Sequence, residues 1–238
     1  MDDNRFDTAF SSIEVLLDVN VARDDGYDAI RKGLQAGRLV IVRDAFRSAF
    51  AERMHHCLDH ADGWPLTEGG EGAFRFHHHN LYQPEHFPSD LAWCRSVFDS
   101  ADTKELVGRL SGRDCSGTVS FSASWYMPGD YSLPHSDHTG SSTSHERQVA
   151  FIWHLTRTWD PSWGGHLYWG PAQRSITPSF NTLFLFTIDP GNAHFVSQVA
   201  PFAQSKRLAI NGWWMGPPSA QPEREQPRSR KAEQIEVL

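Results

Sequence analysis

A series of short apolar runs between Gly117 and Trp214 constrains the fold more than any other feature of the sequence. Pro, Gly or Asp separates the runs, which read TVSFSASWY, QVAFIWHLT, HLYWG, FNTLFLFTI, FVSQVAP and KRLAINGWW. Many short strands at this spacing are typical of a barrel or a two-sheet jelly roll. The sequence therefore predicts a mainly β domain here.

The residues before this region alternate between strand and helix patterns. SIEVLLDV (12–19) alternates like a strand, DDGYDAIRKGLQAG has apolar residues at helical spacing before Gly37, and RLVIVRD contains a short apolar strand. FRSAFAERMHHCLDHADG then places its apolar residues on one helical stripe. We expect residues 1–116 to form a mixed α/β support region with helices that flank the β domain.

The length of the chain is suited to one well-filled domain. Its 238 residues are enough for one large core but not for two generous ones. We predict a single domain over residues 1–216, with the β core at 117–216. Residues 217–238 are rich in Pro and charge, which predicts a mobile tail whose last residues could dock on the surface.

Net charge, cysteine spacing and the absence of targeting patterns bear on the partners and the location of the protein. The formal net charge of −7 argues against nucleic acid and anionic membranes, because both require clustered Lys and Arg. Three widely spaced cysteines without a CxxC pair predict reduced thiols. The start MDDNRFD lacks the pattern of a signal peptide, and no apolar run reaches membrane-spanning length. We expect a cytoplasmic protein that binds a small molecule or a peptide.

The segment YMPGDYSLPHSDHTG (126–140) carries a dense group of polar residues. In an extended chain, alternate residues project from the same face, so His135 and Asp137 can present an imidazole and a carboxylate to one metal ion. His194 begins another apolar alternation and is the third candidate ligand. Two histidines and one carboxylate form the facial triad of non-haem Fe(II) oxygenases. For the His-x-Asp pair alone, a solvated strand end is the alternative.

Four blocks around these residues resemble the Fe(II)/2-oxoglutarate dioxygenase superfamily, in its prolyl-4-hydroxylase-like branch. YMPGDYSLPHSD is similar to the Tyr-x-x-Gly, Tyr and His-x-Asp segment of that family, and WGGHLYW to its Gly-Gly-x-Leu-x-aromatic strand. ITPSFNTLFLF is similar to its Pro-then-apolar strand, and HFVSQVAPFAQSKRLAINGWW to its distal His, Val, Val, Arg and aromatic run. The blocks follow the family order and cover about two-fifths of the chain.

The resemblance implies a double-stranded β-helix, or jelly roll, and an enzyme that uses Fe(II), 2-oxoglutarate and O2. It implies that iron binds to His135, Asp137 and His194, with no catalytic residue beyond the iron centre. It also implies that Arg207 binds the remote carboxylate of 2-oxoglutarate, since a guanidinium can bond both oxygens. Lys206 is the rival for this role.

Strand alternation favours Arg207 over Lys206. Arg207, Asn211 and Trp213 would share one face of their strand, and apolar residues the other. In TVSFSASWY the serines and Tyr126 form a polar face in the same way. From the family pattern we expect Tyr126 to contact 2-oxoglutarate, with Asn181 as a weaker candidate.

Asp137 also bears on the reaction. Related halogenases have Gly or Ala in place of the carboxylate ligand, so the resemblance implies hydroxylation of an aliphatic C–H bond, with release of succinate and CO2. The blocks resemble most the small enzymes that act on free amino acids such as lysine. We therefore expect a free amino acid or a close derivative as substrate, and Arg75 is the candidate for its carboxylate. The expected pocket neighbours are His138, Asn211, Trp213 and Trp214.

Two alternatives to this function remain open. One is a peptidyl or prolyl hydroxylase of the same fold, which should have an open groove. The other is a non-catalytic β-barrel sensor that retains a metal site. The sequence has no clear acidic pair placed for a lysine ammonium group, so it does not favour lysine over another polar amino acid.

Other histidine groups have simpler interpretations. Residues 77–79 are three consecutive histidines, which predicts a polar loop because neighbours cannot all face one ion. His56 and His60 share a helical face, which predicts a solvated surface. For the Trp213 and Trp214 pair, alternation predicts that one ring packs in the core and the other faces the pocket.

Overall fold

The computed structural model describes residues 12–70, 75–138, 145–218 and 235–238. The described part begins with a 3-10 turn at Ile13–Leu16, so the predicted strand at 12–19 is wrong. Its buried residues Ile13, Leu16 and Leu17 have helical spacing, i, i+3 and i+4, which outweighs the apparent alternation.

The next three elements confirm the predicted order of helix, strand and helix. They are α1 (Asp24–Gln35), β1 (Val40–Val42) and α2 (Ser48–Asp59). The remaining elements of the support region are β2 (Leu66–Gly69), β3 (Phe76–Leu81), α3 (Ser89–Phe98) and α4 (Ala101–Ser111). Ser100 caps the start of α4 and Gly112 ends it in a left-handed conformation, as is common at helix ends.

The β region contains strands where the short apolar runs predict them. They are β4 (Ser120–Tyr126), β5 (Tyr131–His135), β6 (Glu146–His154), β7 (Leu167–Trp169), β8 (Arg174–Ile176), β9 (Thr182–Thr187), β10 (His194–Val196) and β11 (Arg207–Gly216). A last strand, β12 (Ile235–Val237), pairs with β1. Residues 219–234, most of the predicted mobile tail, lie outside the described residues.

The twelve described strands form one antiparallel sheet that curls on itself. Its order is β12-β1-β9-β6-β11-β4-β3-β5-β10-β7-β8, with β2 paired to β3. Trp169 of β7 packs against Phe186 of β9 at 4.9 Å between ring centroids, although several strands separate them in the sheet order. Two parts of the sheet therefore face each other, as in the predicted double-stranded β-helix.

The sheet has an apolar core on each side. Phe151 and Trp153 of β6 face the helices and pack with Phe98 and Phe50. Ala150 of the same strand belongs to the core between the two sheet layers. Burial on both faces explains why FNTLFLFTI is a continuous apolar run. In the parts of the chain that the structure describes, no helix is long and apolar enough to cross a membrane.

Candidate active site

A cavity of about 850 Å3 lies between the two layers of the curled sheet. Its floor comes mostly from alternate residues of β3, β4 and β11, which are neighbours in the sheet, with Phe121 and Gly212 also in the lining. Its opposite side includes His135, Asp137 and His194. The volume is in the range of small-molecule and cofactor sites.

His135, Asp137 and His194 come together in this cavity. His135 ends β5, and its register partner in the adjacent strand is His194, the first residue of β10. Nε2 of His135 is 3.6 Å from Oδ1 of Asp137, and Nε2 of His194 is 3.7 Å from Oδ2. The candidate ligand atoms all lie within 4.8 Å of one another, so one ion could contact all three.

The hydrogen bonds of the two histidines suit a metal. Nδ1 of His135 donates to the Leu133 carbonyl at 2.8 Å, and Nδ1 of His194 donates to the Asn192 carbonyl at 2.9 Å. A proton on Nδ1 leaves the Nε2 lone pair free for a ligand bond. Burial lowers the pKa of His135, which favours the neutral imidazole. With the Asp137 carboxylate, this donor set fits Fe(II).

Two side chains hold Asp137 from the opposite side. Trp213 donates its indole N–H to Oδ2 at 2.9 Å. Arg147 donates to the Asp137 carbonyl at 3.3 Å, and its guanidinium lies 3.9 Å from the centroid of the Trp213 ring. The carboxylate is therefore oriented before any ligand binds.

Arg207 is a buried cation without a carboxylate partner among the described residues. Its Nε donates to the Gly165 carbonyl, and its guanidinium lies 4.5 Å from the centroid of the Tyr126 ring. Burial lowers the pKa of Arg207 to about 10, so it stays charged at neutral pH. A buried uncompensated cation costs free energy, which an anionic ligand in the cavity would offset.

The Gly-Gly pair of WGGHLYW makes room for this arginine. Gly165 has φ 63°, and a Cβ there would lie 2.9 Å from Cδ of Arg207. Gly164 has φ 68°, and its Cβ would lie 2.1 Å from the Gln198 carbonyl oxygen. Side chains are excluded at both positions by backbone conformation and by space.

Tyr126 and Lys206 lie on the sides that alternation predicts. The Tyr126 hydroxyl is hydrogen-bonded to the Ser132 side chain, and burial raises its pKa, so the phenol stays neutral. Lys206 faces away from the cavity, where it pairs with Asp59 at 3.1 Å and lies over the Trp125 ring. Arg207, not Lys206, is thus the cation inside.

The structure separates the predicted substrate residues into two groups. His138, Asn211 and Trp213 line the cavity. Trp214 is fully buried in the helix-facing core, where its indole donates to the Phe98 carbonyl, so it does not face the pocket. Arg75 is exposed before β3 and is not among the lining residues.

Asn181 is also outside the cavity, which corrects its assignment as a 2-oxoglutarate contact. Its side-chain oxygen accepts from the Phe46 N–H and the Trp153 indole, both at 3.2 Å, and its nitrogen donates to the Phe46 carbonyl at 2.7 Å. Asn181 has a positive φ of 51°, which Asn tolerates better than most residues. Its role is to fix the start of β9 to the 45–46 segment.

The consecutive histidines 77–79 form part of β3 rather than a loop. His79 contacts the buried Asp130 at 2.9 Å, and His77 lies 3.5 Å from it. His78 points the other way, lines the cavity and lies 4.9 Å from the Tyr126 ring. Burial lowers its pKa to about 4. Strand alternation in FHHHNL is the signal that could have placed His78 in the site.

The family comparison agrees with the fold and the triad. Residues 121–215 match the model of the 2OG-Fe(II) oxygenase superfamily, a range that includes the triad, Tyr126 and Arg207. The match covers about two-fifths of the chain, and the curled sheet and the His-Asp-His donor set agree with it. Oxygenases of this superfamily use Fe(II), 2-oxoglutarate and O2.

The proteins similar to this chain include prolyl hydroxylases. Prolyl 3-hydroxylase OGFOD1 of Mus musculus is 32% identical over 130 residues, which are 51% of this chain and 23% of the mouse protein. The aligned region thus spans less than a quarter of that relative. This likeness does not support the expected free amino acid group, and agrees better with the prolyl alternative.

Two solved structures share the fold. The Pseudomonas putida prolyl-4-hydroxylase has a TM-score of 0.60 at 15% identity, covering 79% of this chain and 97% of that chain. A Trichoplax adhaerens prolyl hydroxylase, solved in complex with a hypoxia inducible factor oxygen degradation domain peptide fragment, has a TM-score of 0.57 at 19% identity. It covers 79% of this chain and 88% of that chain.

Proposed function

We propose that this protein is an Fe(II)- and 2-oxoglutarate-dependent hydroxylase that acts on a prolyl residue within a peptide or protein. The observation that carries the proposal is the combination, in one cavity, of the His135, Asp137 and His194 group with Arg207, which has no carboxylate partner among the described residues. The likeness to a prolyl 3-hydroxylase supports the choice of substrate.

Each residue has a defined part in this proposal. His135 and His194 hold iron through Nε2, since their Nδ1 protons are engaged by carbonyls, and Asp137 supplies the third ligand. Arg207 binds the remote carboxylate of 2-oxoglutarate, with Tyr126 beside it. When bound, iron and 2-oxoglutarate together with O2 would supply the oxidising power for hydroxylation: one oxygen atom of O2 would go to the substrate C–H bond and the other to succinate, with release of CO2.

The charges of the cavity favour a neutral peptidyl residue over a free amino acid. Among the described lining residues, Arg95, Arg147 and Arg207 are cationic, and the one carboxylate belongs to Asp137, the candidate metal ligand. The ammonium group of a free amino acid would have no anionic partner there. A prolyl residue within a chain carries no charge.

The test is turnover with Fe(II), O2 and 2-oxoglutarate on a library of peptides that contain one proline each. Free proline and free lysine are the matched small-molecule substrates. We expect succinate release and a gain of one oxygen atom on peptides, and amino acid analysis would distinguish 3- from 4-hydroxyproline. Hydroxylation of free amino acids alone would contradict the proposal. No succinate from any substrate, with metal binding retained, would favour a sensor.

The predicted cytoplasmic location stays a prediction. The net charge of −7 disfavours nucleic acid and anionic membranes as partners, and a peptide substrate is compatible with that charge.

A further inference from the structure

The cavity floor carries a patch of amide and hydroxyl side chains that the roles above do not use. Asn80 of β3 lies opposite Ser124 of β4, and Ser122 of β4 lies opposite Asn211 of β11. Neighbouring strands are about 4.8 Å apart, and alternate residues share a face. These four residues, all of which line the cavity, are here called the polar ladder.

The polar ladder lies between the two ends of the proposed reaction site. On one side, Arg207 pairs in register with Tyr126, where the co-substrate carboxylate would bind. On the other side, Trp213 pairs with Ser120 and donates to the Asp137 carboxylate. A ligand that reaches the metal along the cavity floor therefore passes over the ladder.

Two hydrogen-bond acceptors of the polar ladder have no donor partner among the described residues. Ser122 accepts from Nδ2 of Asn211 at 3.0 Å and donates to the Asn211 backbone carbonyl at 3.2 Å, which fixes the Asn211 amide. Oδ1 of Asn211 and Oδ1 of Asn80 are buried and have no hydrogen-bond partner within the described ranges. Buried acceptors without partners are rare, because they lose hydration without replacement.

The co-substrate 2-oxoglutarate cannot donate hydrogen bonds to these two amide oxygens. The carboxylate and keto oxygens of 2-oxoglutarate are acceptors at neutral pH, and two acceptors do not bond each other. A cationic donor is disfavoured by the three lining arginines. Neutral N–H and O–H groups are the remaining donors. Of these, a peptide backbone offers an N–H at every residue except proline.

We propose that the polar ladder binds backbone N–H groups of residues that flank the target proline. This inference rests on the proposed function, and it adds that the enzyme recognises the peptide main chain through Asn80 and Asn211. Sequence preference around the proline would then be weaker than the requirement for a peptide bond.

The test compares amide and ester versions of one peptide substrate. Replacing a single flanking amide by an ester removes one N–H and leaves the shape nearly unchanged. For the wild type, one such ester should raise KM for the peptide about tenfold, the effect of one lost hydrogen bond. In Asn80→Leu, the amide peptide and the ester peptide should have equal KM at the flanking position whose N–H binds Asn80. In Asn211→Leu, the two peptides should have equal KM at a different flanking position, the one whose N–H binds Asn211.

Three controls make the outcome specific. The ratio of KM for the peptide to KM for 2-oxoglutarate should rise in Asn80→Leu, because the substitution removes a peptide contact. Asn20→Leu, the same change in an exposed turn, should keep the amide preference. Thermal unfolding of each variant would show that the fold is retained.

The possible failures are distinguishable. Equal turnover of amide and ester peptides by the wild type would contradict the binding of backbone N–H groups by the polar ladder. The proposed function would remain in place. If Asn80→Leu and Asn211→Leu raise KM for 2-oxoglutarate and leave KM for the peptide unchanged, the polar ladder binds the co-substrate and the inference is wrong. A wild type that hydroxylates no prolyl peptide would contradict the proposed function and, with it, the ligand assigned to the ladder.

Discussion

Trp213 and Asp137 are joined by a hydrogen bond of 2.9 Å from the indole N–H to Oδ2. Trp213 belongs to β11 and Asp137 follows β5, so this bond links the two layers of the curled sheet at the candidate metal centre. The other oxygen, Oδ1, faces Nε2 of His135. A side chain that the sequence suggests as a substrate neighbour thus also orients a candidate metal ligand.

Trp213→Phe removes this hydrogen bond and keeps an aromatic ring under Arg147. We expect affinity for Co(II), used as a probe of the metal site, to fall about tenfold, because partners of ligating side chains typically contribute that much. Calorimetric titration of the metal-free protein measures the change. The matched control is Trp163→Phe, a half-buried ring outside the cavity lining. Equal affinity in Trp213→Phe and wild type would exclude the orienting role.

Arg207→Gln should strongly weaken 2-oxoglutarate binding while the ligand-free fold is retained. Loss of a charge-assisted pair costs roughly 2 to 3 kcal/mol, so we expect KM for 2-oxoglutarate to rise at least about thirtyfold. Thermal stabilisation by 2-oxoglutarate should disappear as well. Lys206→Gln is the control, since Lys206 is the neighbouring residue on the opposite face. A comparable loss in Lys206→Gln would mean that the cations are wrongly assigned.

Period-two alternation made part of the site predictable from the sequence. In TVSFSASWY it predicts that Ser122, Ser124 and Tyr126 face inward, and all three line the cavity. In KRLAINGWW it predicts the same for Arg207, Asn211 and Trp213, whereas Leu208 and Ile210 belong to the helix-facing core. A one-residue shift would exchange these faces, so regular strands fix many positions at once.

The assignments that local patterns leave open, and those that fall outside the cavity, have physical causes. Residue type does not tell which of Trp213 and Trp214 faces the pocket, because either ring could pack in a core or line a pocket. The register of β11 in the sheet determines which ring faces which side. Arg75 is a candidate on its chemistry alone, and it precedes β3 and is exposed. The role of Asn181 depends on contacts with Phe46 and Trp153, which are distant in sequence. Such long-range contacts leave no local pattern.

Asn181→Ala should destabilise the fold without a direct effect on the cavity. The substitution leaves the Trp153 indole and two backbone groups of Phe46 without their partner, and it places Ala at a positive φ. We expect the free energy of unfolding to fall by about 2 to 4 kcal/mol. Urea unfolding measures this loss. An unchanged stability with a raised KM for 2-oxoglutarate would restore Asn181 as a co-substrate contact.

Acid should destabilise the metal-free protein through His78. Burial lowers the pKa of His78 from 6.5 to about 4, so between these values the unfolded chain binds a proton that the folded chain excludes. Stability is therefore complete above about pH 6.5 and falls as the pH drops towards 4, by roughly 3 kcal/mol for this group. His154, whose pKa burial also lowers, adds to the loss in the same direction.

Urea unfolding at pH 7.5, 6 and 5, in the presence of a chelator, measures this pH dependence. His78→Gln removes the titrating group and should make the decline between pH 6.5 and 5 shallower, because the variant has one fewer histidine to protonate on unfolding. His60→Gln, at the exposed end of α2, is the matched histidine substitution outside the cavity lining. If His78→Gln and wild type lose stability in parallel, His78 is not held neutral by burial, and another group must account for the acid sensitivity.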